Sequence, residues 1–205
     1  MRQSNLLSAE PFVPARHELP VLAKAVQECR GCDLYLHATQ AVFGEGPPKA
    51  RILMVGEQPG DQEDLGGRPF IGPAGQLLDR ALTDAGIDRS MVYVTNAVKH
   101  FKFEERGKRR IHKKPGSGEV AACRPWLQAE IEQVRPSFIV ALGATAALSV
   151  SGRPVAVQKE RGKLLPMEGS RQLLITVHPS FLLRVPDIDR VGEFQRLVSD
   201  LRLLV

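Results

Sequence analysis

The chain contains 205 residues, of which 43% are hydrophobic and 25% are charged. This length suits a single domain with a sizeable core, and the composition excludes a disordered chain, a collagen and a coiled coil. Lys and Arg outnumber Asp and Glu by 28 to 23, so the net charge of +5 favours a nucleic-acid partner without requiring one.

The N-terminal segment is polar. Residues 1–20 contain three prolines and little apolar periodicity, which predicts an N-terminal arm. The segment lacks the basic start and apolar core of a signal peptide, and the chain nowhere reaches about eighteen consecutive apolar residues. We therefore expect a cytosolic protein that does not contact a membrane.

Strands and helices are predicted to alternate from residue 20 onward. Short apolar or β-branched segments predict buried strands at 51–55, 91–98, 138–143 and 173–177. Helical spacing of apolar residues marks 20–28, 73–86, 118–134, 144–150 and 189–205. This alternation predicts one domain over 1–205, folded as a three-layer α/β/α sandwich around a four-stranded parallel sheet.

Each conspicuous motif lies at the end of a predicted strand. The motifs are GEQPGD (56–61), TNAVKH (95–100), LGA (142–144) and HPS (178–180). Open parallel α/β sheets bind their ligands outside the carboxyl ends of the strands. The four motifs therefore predict one shared crevice, which is the first indication of function.

Residues 99–118 depart from this alternation, since they are rich in Lys and Arg and have almost no apolar periodicity. A segment of this length without regular structure is typical of a functional or disordered loop. We predict an inserted basic loop whose cations bind DNA phosphates, namely Lys108, Arg109, Arg110, Lys113 and Lys114. Residue types alone favour the simple interpretation that His112 only accompanies these cations.

Three further side chains each have a structural and a functional interpretation. Phe70 lies between Pro and Gly residues and suits either a core position or a stacking face for a base. Asn96 suits either a turn cap or recognition of an amide-like base edge, because its side chain both donates and accepts hydrogen bonds. A lone His178 is more often structural, but its place in the shared crevice favours a role at the site.

The chain has three cysteines, Cys29, Cys32 and Cys123. An odd number cannot form a complete set of disulfides, and a C-x-x-C pair in a reducing compartment is typical of metal or cluster ligation. The set predicts such a site with one ligand missing from the cysteine count. The alternative is a core position for Cys123 and an incidental pair at Cys29 and Cys32.

Taken in order, GEQPGD, GRPFIGPAG, TNAVK, C-x-P-W-L, ALGATA and HPS resemble the motifs of the uracil-DNA glycosylase superfamily. The resemblance covers about residues 25–190 and is greatest for the family 4 type, which carries an iron–sulfur cluster. The KRRIH string (108–112) together with GEQPGD resembles UdgX, a branch that becomes covalently trapped on uracil-containing DNA.

This resemblance implies how the motifs would recognise the base. Phe70 would stack on a flipped uracil, and Asn96 would read its Watson–Crick edge. His178 would donate to the uracil O2 as negative charge develops on the departing base. The turn from Gly56 to Gly60 would line the pocket.

The UdgX resemblance also implies what happens after the N-glycosidic bond breaks. His112 would bond to C1′ of the sugar in place of water, so each protein molecule would act once. Glu57 would orient or deprotonate the imidazole. Gln58 and Asp61 would hold the loop or a water molecule.

The family 4 resemblance further implies a 4Fe-4S cluster with four cysteine ligands. This chain supplies Cys29, Cys32 and Cys123, and His100 stands where the fourth ligand is expected. Because histidine can replace cysteine on cluster iron, the implied ligand set is Cys29, Cys32, His100 and Cys123.

Three alternatives to covalent capture stay open. A family 4 glycosylase of ordinary multiple turnover would leave His112 idle, and a non-catalytic iron–sulfur nucleic-acid-binding module would release no uracil. A phosphoesterase on the same type of sheet would need several clustered acids, and the strand ends offer only Glu57 and Asp61. The partner that we expect is uracil-containing DNA, single- or double-stranded, bound by a monomer in the bacterial cytosol.

Overall fold

The computed structural model describes residues 7–205, so residues 1–6 of the predicted N-terminal arm lie outside the described part. From Ala9 onward the arm packs on the domain. The Ala9 side chain is buried, and its backbone N–H donates to the carbonyl oxygen of Ala122 at 2.7 Å.

The predicted strands and helices are confirmed, with ends shifted by a few residues. The strands, β1 to β7, are Ile52–Gly56, Val92–Asn96, Phe103–Arg106, Arg109–His112, Phe138–Leu142, Leu164–Pro166 and Gln172–Thr176. The helices, α1 to α7, are Leu19–Ala25, Asp61–Gly66, Pro73–Asp84, Ser117–Val134, Ala144–Ser151, Val157–Glu160 and Asp187–Leu201. The short helices α2 and α6 are not part of the sequence prediction.

The central sheet has the strand order β2-β1-β5-β7-β6. The first four strands are the predicted ones and they pair in parallel, which confirms the parallel core. The prediction of four strands is nevertheless wrong, because β6 adds an antiparallel edge strand beside β7. It spans three residues and ends at Pro166, which lacks a backbone donor, so the sequence carries little strand signal there.

Residues 103–112 form a hairpin of β3 and β4, which corrects the predicted unstructured loop. The strands pair antiparallel around Gly107, whose φ of +60° supplies the left-handed turn conformation. Charged side chains on both strands hide the alternation that marks a strand. The register places Phe103 opposite His112, at the end of the hairpin nearest the sheet.

Apolar side chains from the two faces of the sheet pack under different helices. One face packs against α3 and α7, through residues such as Leu78 and Leu197. The other packs against α4 and α5, through residues such as Leu127 and Ala146. These two layers of helices and the sheet between them form the predicted three-layer sandwich.

Candidate active site

A cavity of about 850 Å³ lies at the carboxyl end of the sheet. It is bordered by the turn after β1, by the ends of the neighbouring parallel strands and by the end of the β3–β4 hairpin. Its lining includes the predicted residues Glu57, Gln58, Gly60, Asp61, Phe70, Asn96, His112, Lys114 and His178. The fold therefore brings most of the predicted site together from distant parts of the chain.

Phe70 and Asn96 line this cavity, and Gly56, which was predicted to line it too, instead lies against both side chains without being a lining residue. Asn96 ends β2 opposite Gly56 in the parallel register, and its side chain is buried. A Cβ atom on Gly56 would overlap Asn96 Oδ1 and lie 2.7 Å from Phe70 Cζ. The absence of a side chain at Gly56 is thus what lets the Phe70 ring and the Asn96 amide lie side by side.

Phe70 has a φ of +58°, a left-handed conformation that an aromatic residue rarely adopts. Glu63 holds the turns on both sides of it. The Glu63 Oε1 atom accepts the Gly72 N–H at 2.8 Å, and Oε2 accepts the Gly60 N–H at 3.1 Å. Backbone strain maintained by such contacts is typical of functional sites.

His178 lies beside Phe70, with 6.1 Å between ring centroids and 26° between ring planes. Its Nδ1 accepts the N–H of Ser180 at 3.2 Å, which leaves the proton of the neutral ring on Nε2. Burial, followed by the effects of His112 and Arg184, lowers the pKa of His178 to about 4. The residue is therefore a neutral Nε2–H donor at pH 7.

Glu57 connects the turn after β1 to the hairpin. Its Oε1 lies 3.4 Å from His112 Nε2, and its Oε2 accepts the hydroxyl of Thr145 at 2.5 Å. The imidazole of His112 is half exposed, with 49% of its side-chain surface accessible. The two side chains thus present a carboxylate and an imidazole to the same cavity.

Gln58 fixes the base of the hairpin. Its Nε2 donates to the carbonyl oxygens of Lys102 and Lys113 at 3.1 and 3.2 Å, and its Oε1 accepts the Lys102 N–H at 3.1 Å. Gln58 therefore joins the turn after β1 to the two chain segments that flank the hairpin.

Arg110 fixes the hairpin from the side. Its guanidinium makes ion pairs of 2.6 Å with Asp61 and with the fully buried Asp64. It also stacks over the rings of Phe101 and Phe103, 5.5 and 5.0 Å from their centroids. The Arg110 guanidinium, which was predicted from the sequence to bind DNA phosphates, is therefore already paired within the protein.

The other cations of that assignment are exposed. They are Lys108, Arg109, Lys113 and Lys114. Lys108 and Arg109 lie at the hairpin tip, and Lys114 lines the cavity. The exposed cations thus extend from the cavity lining at Lys114 to the tip of the hairpin.

The three cysteines are buried in one apolar cluster beside α4. Two N–H groups point at their sulfur atoms: Trp126 Nε1 lies 3.2 Å from Cys29 Sγ, and the Lys99 amide lies 3.3 Å from Cys123 Sγ. Burial raises the pKa of the Cys123 thiol to about 12, against the opposing effect of Lys99. Buried thiols with N–H donors aimed at sulfur suit iron–sulfur ligation.

His100 is also buried, and burial lowers its pKa to about 4 against the opposing effect of Asp64. A neutral imidazole is the form that binds metals. Within residues 7–205, no group of three or more His, Cys, Asp or Glu side chains is arranged to hold a metal ion. Ligands of a four-iron cluster bind different iron atoms, so they need not converge as the ligands of one ion do.

A buried ion pair between Lys99 and Glu130 lies beneath Asn96. Both side chains are fully buried, and the Lys99 Nζ also donates to the Asn96 carbonyl oxygen at 2.9 Å. Glu130 accepts hydrogen bonds from the hydroxyls of Tyr93 and Thr95 at 3.0 and 2.9 Å. This network supports the end of β2 from the side opposite the cavity.

Four residues that support the site were not predicted from the sequence, namely Glu63, Thr145, Lys99 and Glu130. The three-residue spacing of Gly60 and Glu63 matches one half of a helix capping box, in which a Glu accepts the N-cap N–H, and could have predicted that contact. The other contacts join residues far apart in the chain, such as Thr145 and Glu57, which are 88 positions apart. No local pattern predicts pairs of that kind.

The sequence profile of the Uracil DNA glycosylase superfamily matches residues 43–202 of this chain. A type-4 uracil-DNA glycosylase from Thermotoga maritima is 41% identical over 187 residues, which cover 90% of this chain and 92% of the relative. One from Pyrobaculum aerophilum is 37% identical and covers 87% and 90%. A type-5 uracil-DNA glycosylase from the same organism is 33% identical and covers 66% and 63%.

The chain therefore belongs to the uracil-DNA glycosylase superfamily, as its motifs predicted. The relatives of highest similarity among these three are type-4 enzymes, so the comparisons do not identify the covalent-trapping branch. These type-4 relatives agree better with a glycosylase of ordinary multiple turnover than with covalent capture of the DNA. In residues 7–205, no helix combines the length and apolar character needed to cross a bilayer.

Proposed function

We propose that this protein is a uracil-DNA glycosylase, an enzyme that cleaves the N-glycosidic bond between uracil and deoxyribose in DNA. The observation that carries the proposal is the convergence of Phe70, Asn96 and His178 in one cavity at the sheet edge. The names of the type-4 relatives support the same activity. Extruding a uracil into the cavity costs a few kcal/mol, which stacking and edge hydrogen bonds would offset.

Each of the three residues has a distinct task. The Phe70 ring offers a stacking face, and the Asn96 amide offers one donor and one acceptor to the uracil edge. The C1′–N1 bond breaks with its electron pair on the base, and the Nε2–H of His178 donates to O2 of the uracil anion. A neutral donor suits this task, because it stabilises the charge on the base without protonating it.

Ordinary hydrolysis is the fate of the sugar that the type-4 relatives favour. A water molecule would bond to C1′ and give up its proton, and the carboxylate of Glu57 is placed in the cavity to accept it. The products would be free uracil and an abasic site. The enzyme would then act repeatedly.

Covalent capture is the second candidate, and the position of His112 favours it. Its Nε2 lies 3.4 Å from Glu57 Oε1, and both side chains line the cavity. Glu57 would take the Nε2 proton, and the freed lone pair would bond to C1′ as the uracil anion departs. The product would be an N-alkyl imidazole that ends catalysis.

A stoichiometry experiment tests the function and separates the two candidates. A tenfold molar excess of uracil-containing oligonucleotide, single- or double-stranded, is incubated with the protein, and free uracil and intact protein mass are measured. Uracil beyond one equivalent supports hydrolysis. One equivalent of uracil together with a protein–DNA mass mapped to His112 supports capture. Absence of any uracil release would overturn the glycosylase proposal in favour of a non-catalytic binding module.

We also propose that Cys29, Cys32 and Cys123, with His100, hold a 4Fe-4S cluster. The buried sulfur atoms and their N–H donors support this proposal. When bound, the cluster would supply a covalent link between the N-terminal segment, the residues after β2 and helix α4, with no redox step in the reaction. Iron and sulfide analysis, with the visible absorption spectrum of the purified protein, tests it.

The exposed cations of the hairpin and of the segment that follows it would bind DNA phosphates. Lys108, Arg109, Lys113 and Lys114 have accessible side chains, which supports this role. The monomeric state and the bacterial cytosol stay predictions from the sequence.

A further inference from the structure

The two carboxylate oxygens of Glu57 have different partners. Oε1 faces the imidazole of His112, and Oε2 accepts the hydroxyl of Thr145 at 2.5 Å. Only the first of these partners belongs to the reacting groups proposed above. The second comes from helix α5, on the far side of the turn after β1.

Thr145 is well suited to fix the orientation of the Glu57 carboxylate. It is the second residue of α5, its side chain is buried, and its neighbours Ala146 and Ala147 are fully buried in the core. A β-branched side chain has few χ1 rotamers, so the hydroxyl has a defined direction. The terminal torsion of a glutamate, in contrast, is broad, and Glu57 alone would not keep its carboxylate plane fixed.

The start of α5 is itself tied to the site. Gly143, which precedes the helix, has a φ of +89° and donates its N–H to the Thr176 carbonyl oxygen at 2.8 Å. A Cβ atom on Gly143 would lie 3.3 Å from Cβ of His178. The hydroxyl of Thr145 therefore keeps a constant position relative to the ring that is proposed to stabilise the leaving uracil.

We infer that Thr145 is a positioning residue for the reaction, acting through Glu57. Its hydroxyl proton occupies Oε2, so that Oε1 is directed at the nucleophile, whether water or the His112 imidazole. This inference rests on the proposed glycosylase function and deepens it. It makes the carboxylate of Glu57 the middle of a chain of three side chains from α5, the turn after β1 and the hairpin.

A matched pair of substitutions tests the inference. Thr145→Val keeps the shape of the side chain and removes the hydroxyl, whereas Thr145→Ser keeps the hydroxyl and removes a methyl group. The single-turnover rate at which the C1′ product forms, as an abasic site or a protein–DNA adduct, and the affinity for uracil-containing DNA are measured for both. We expect Thr145→Val to lower the rate about tenfold or more at unchanged affinity, because a hydrogen bond to a charged group is lost. We expect Thr145→Ser to stay within about threefold of the wild type.

Introducing Thr145→Val into a Glu57→Ala variant distinguishes positioning of Glu57 from a purely structural role of Thr145. If Thr145 acts through Glu57, Thr145→Val causes no further loss of rate there. An equal loss in both backgrounds would overturn the inference, as would full activity of Thr145→Val or an equal loss in Thr145→Ser. Failure of the proposed function has a different signature, because the wild type itself would then release no uracil.

Discussion

The carboxyl end of the parallel sheet (the sheet edge) and the hairpin supply different parts of the candidate site and are held in different ways. Asn96 ends β2 and His178 follows β7, and nearly all residues of these two strands are buried, so apolar packing fixes both positions. His112 lies on a two-stranded hairpin that is attached through Gln58 and Arg110, by hydrogen bonds and ion pairs. In the proposed function, recognition of the base and the fate of the sugar therefore depend on two sets of contacts that can be broken separately.

The largest expected effect is at the sheet edge. We expect His178→Ala to lower the rate of uracil release by about 10²–10³, because the donor to the developing anion is lost. Affinity for DNA without uracil stays unchanged, since His178 contacts no phosphate in this account. Single-turnover kinetics and fluorescence anisotropy measure the two quantities. A variant with the wild-type rate would show that the base leaves without this donor.

Breaking the attachment of the hairpin is the next largest effect. Arg110→Ala leaves the fully buried Asp64 without its cation, and we expect a loss of about 3 kcal/mol in the free energy of unfolding. The control is Arg106→Ala, which removes an exposed pair within the hairpin itself. Urea denaturation measures both variants. Equal stability of the two would mean that the hairpin is held by other contacts.

The pH dependence of stability follows from His178. Its pKa is about 4 in the folded protein because of burial, and about 6.5 when unfolded. As the pH falls, the unfolded chain therefore binds a proton at His178 before the folded protein does. The contribution of His178 to the free energy of unfolding is fully present above about pH 6.5 and is lost as the pH falls toward 4. Between pH 7 and 5 we expect the wild type to lose on the order of 1–2 kcal/mol more than His178→Ala. Parallel pH profiles of the two proteins would contradict this.

The smallest effect concerns the tip of the hairpin. Replacing Lys108 and Arg109 by Gln is expected to reduce the slope of log affinity against log salt by about 1–2, without changing the preference for uracil. The matched control replaces Lys49 and Arg51, which precede β1 at the amino end of the parallel strands, opposite the cavity. If both double variants lower the slope equally, the hairpin tip is not a specific DNA contact.

The parallel core could be predicted from the sequence because its strands are short buried apolar segments, as in 138–142. The residues proposed to contact uracil could be predicted because they occur in ordered motifs after or at the ends of those strands. The hairpin could not, since charges cover both of its strands. The contacts of Thr145 with Glu57 and of Lys99 with Glu130 depend on tertiary packing, which no local pattern encodes. The edge strand at 164–166 is too short to stand out.

The central claim is that cleavage of the base depends on the sheet edge, whereas the fate of the sugar depends on the hairpin. The release of uracil by His112→Ala tests it most directly. If the sheet edge performs the cleavage, the variant releases uracil within about tenfold of the wild-type rate and forms no protein–DNA adduct. Quantification of free uracil, with the intact mass of the protein, measures both outcomes in one sample. A folded variant that binds uracil-containing DNA with wild-type affinity and yet releases no uracil would contradict the account.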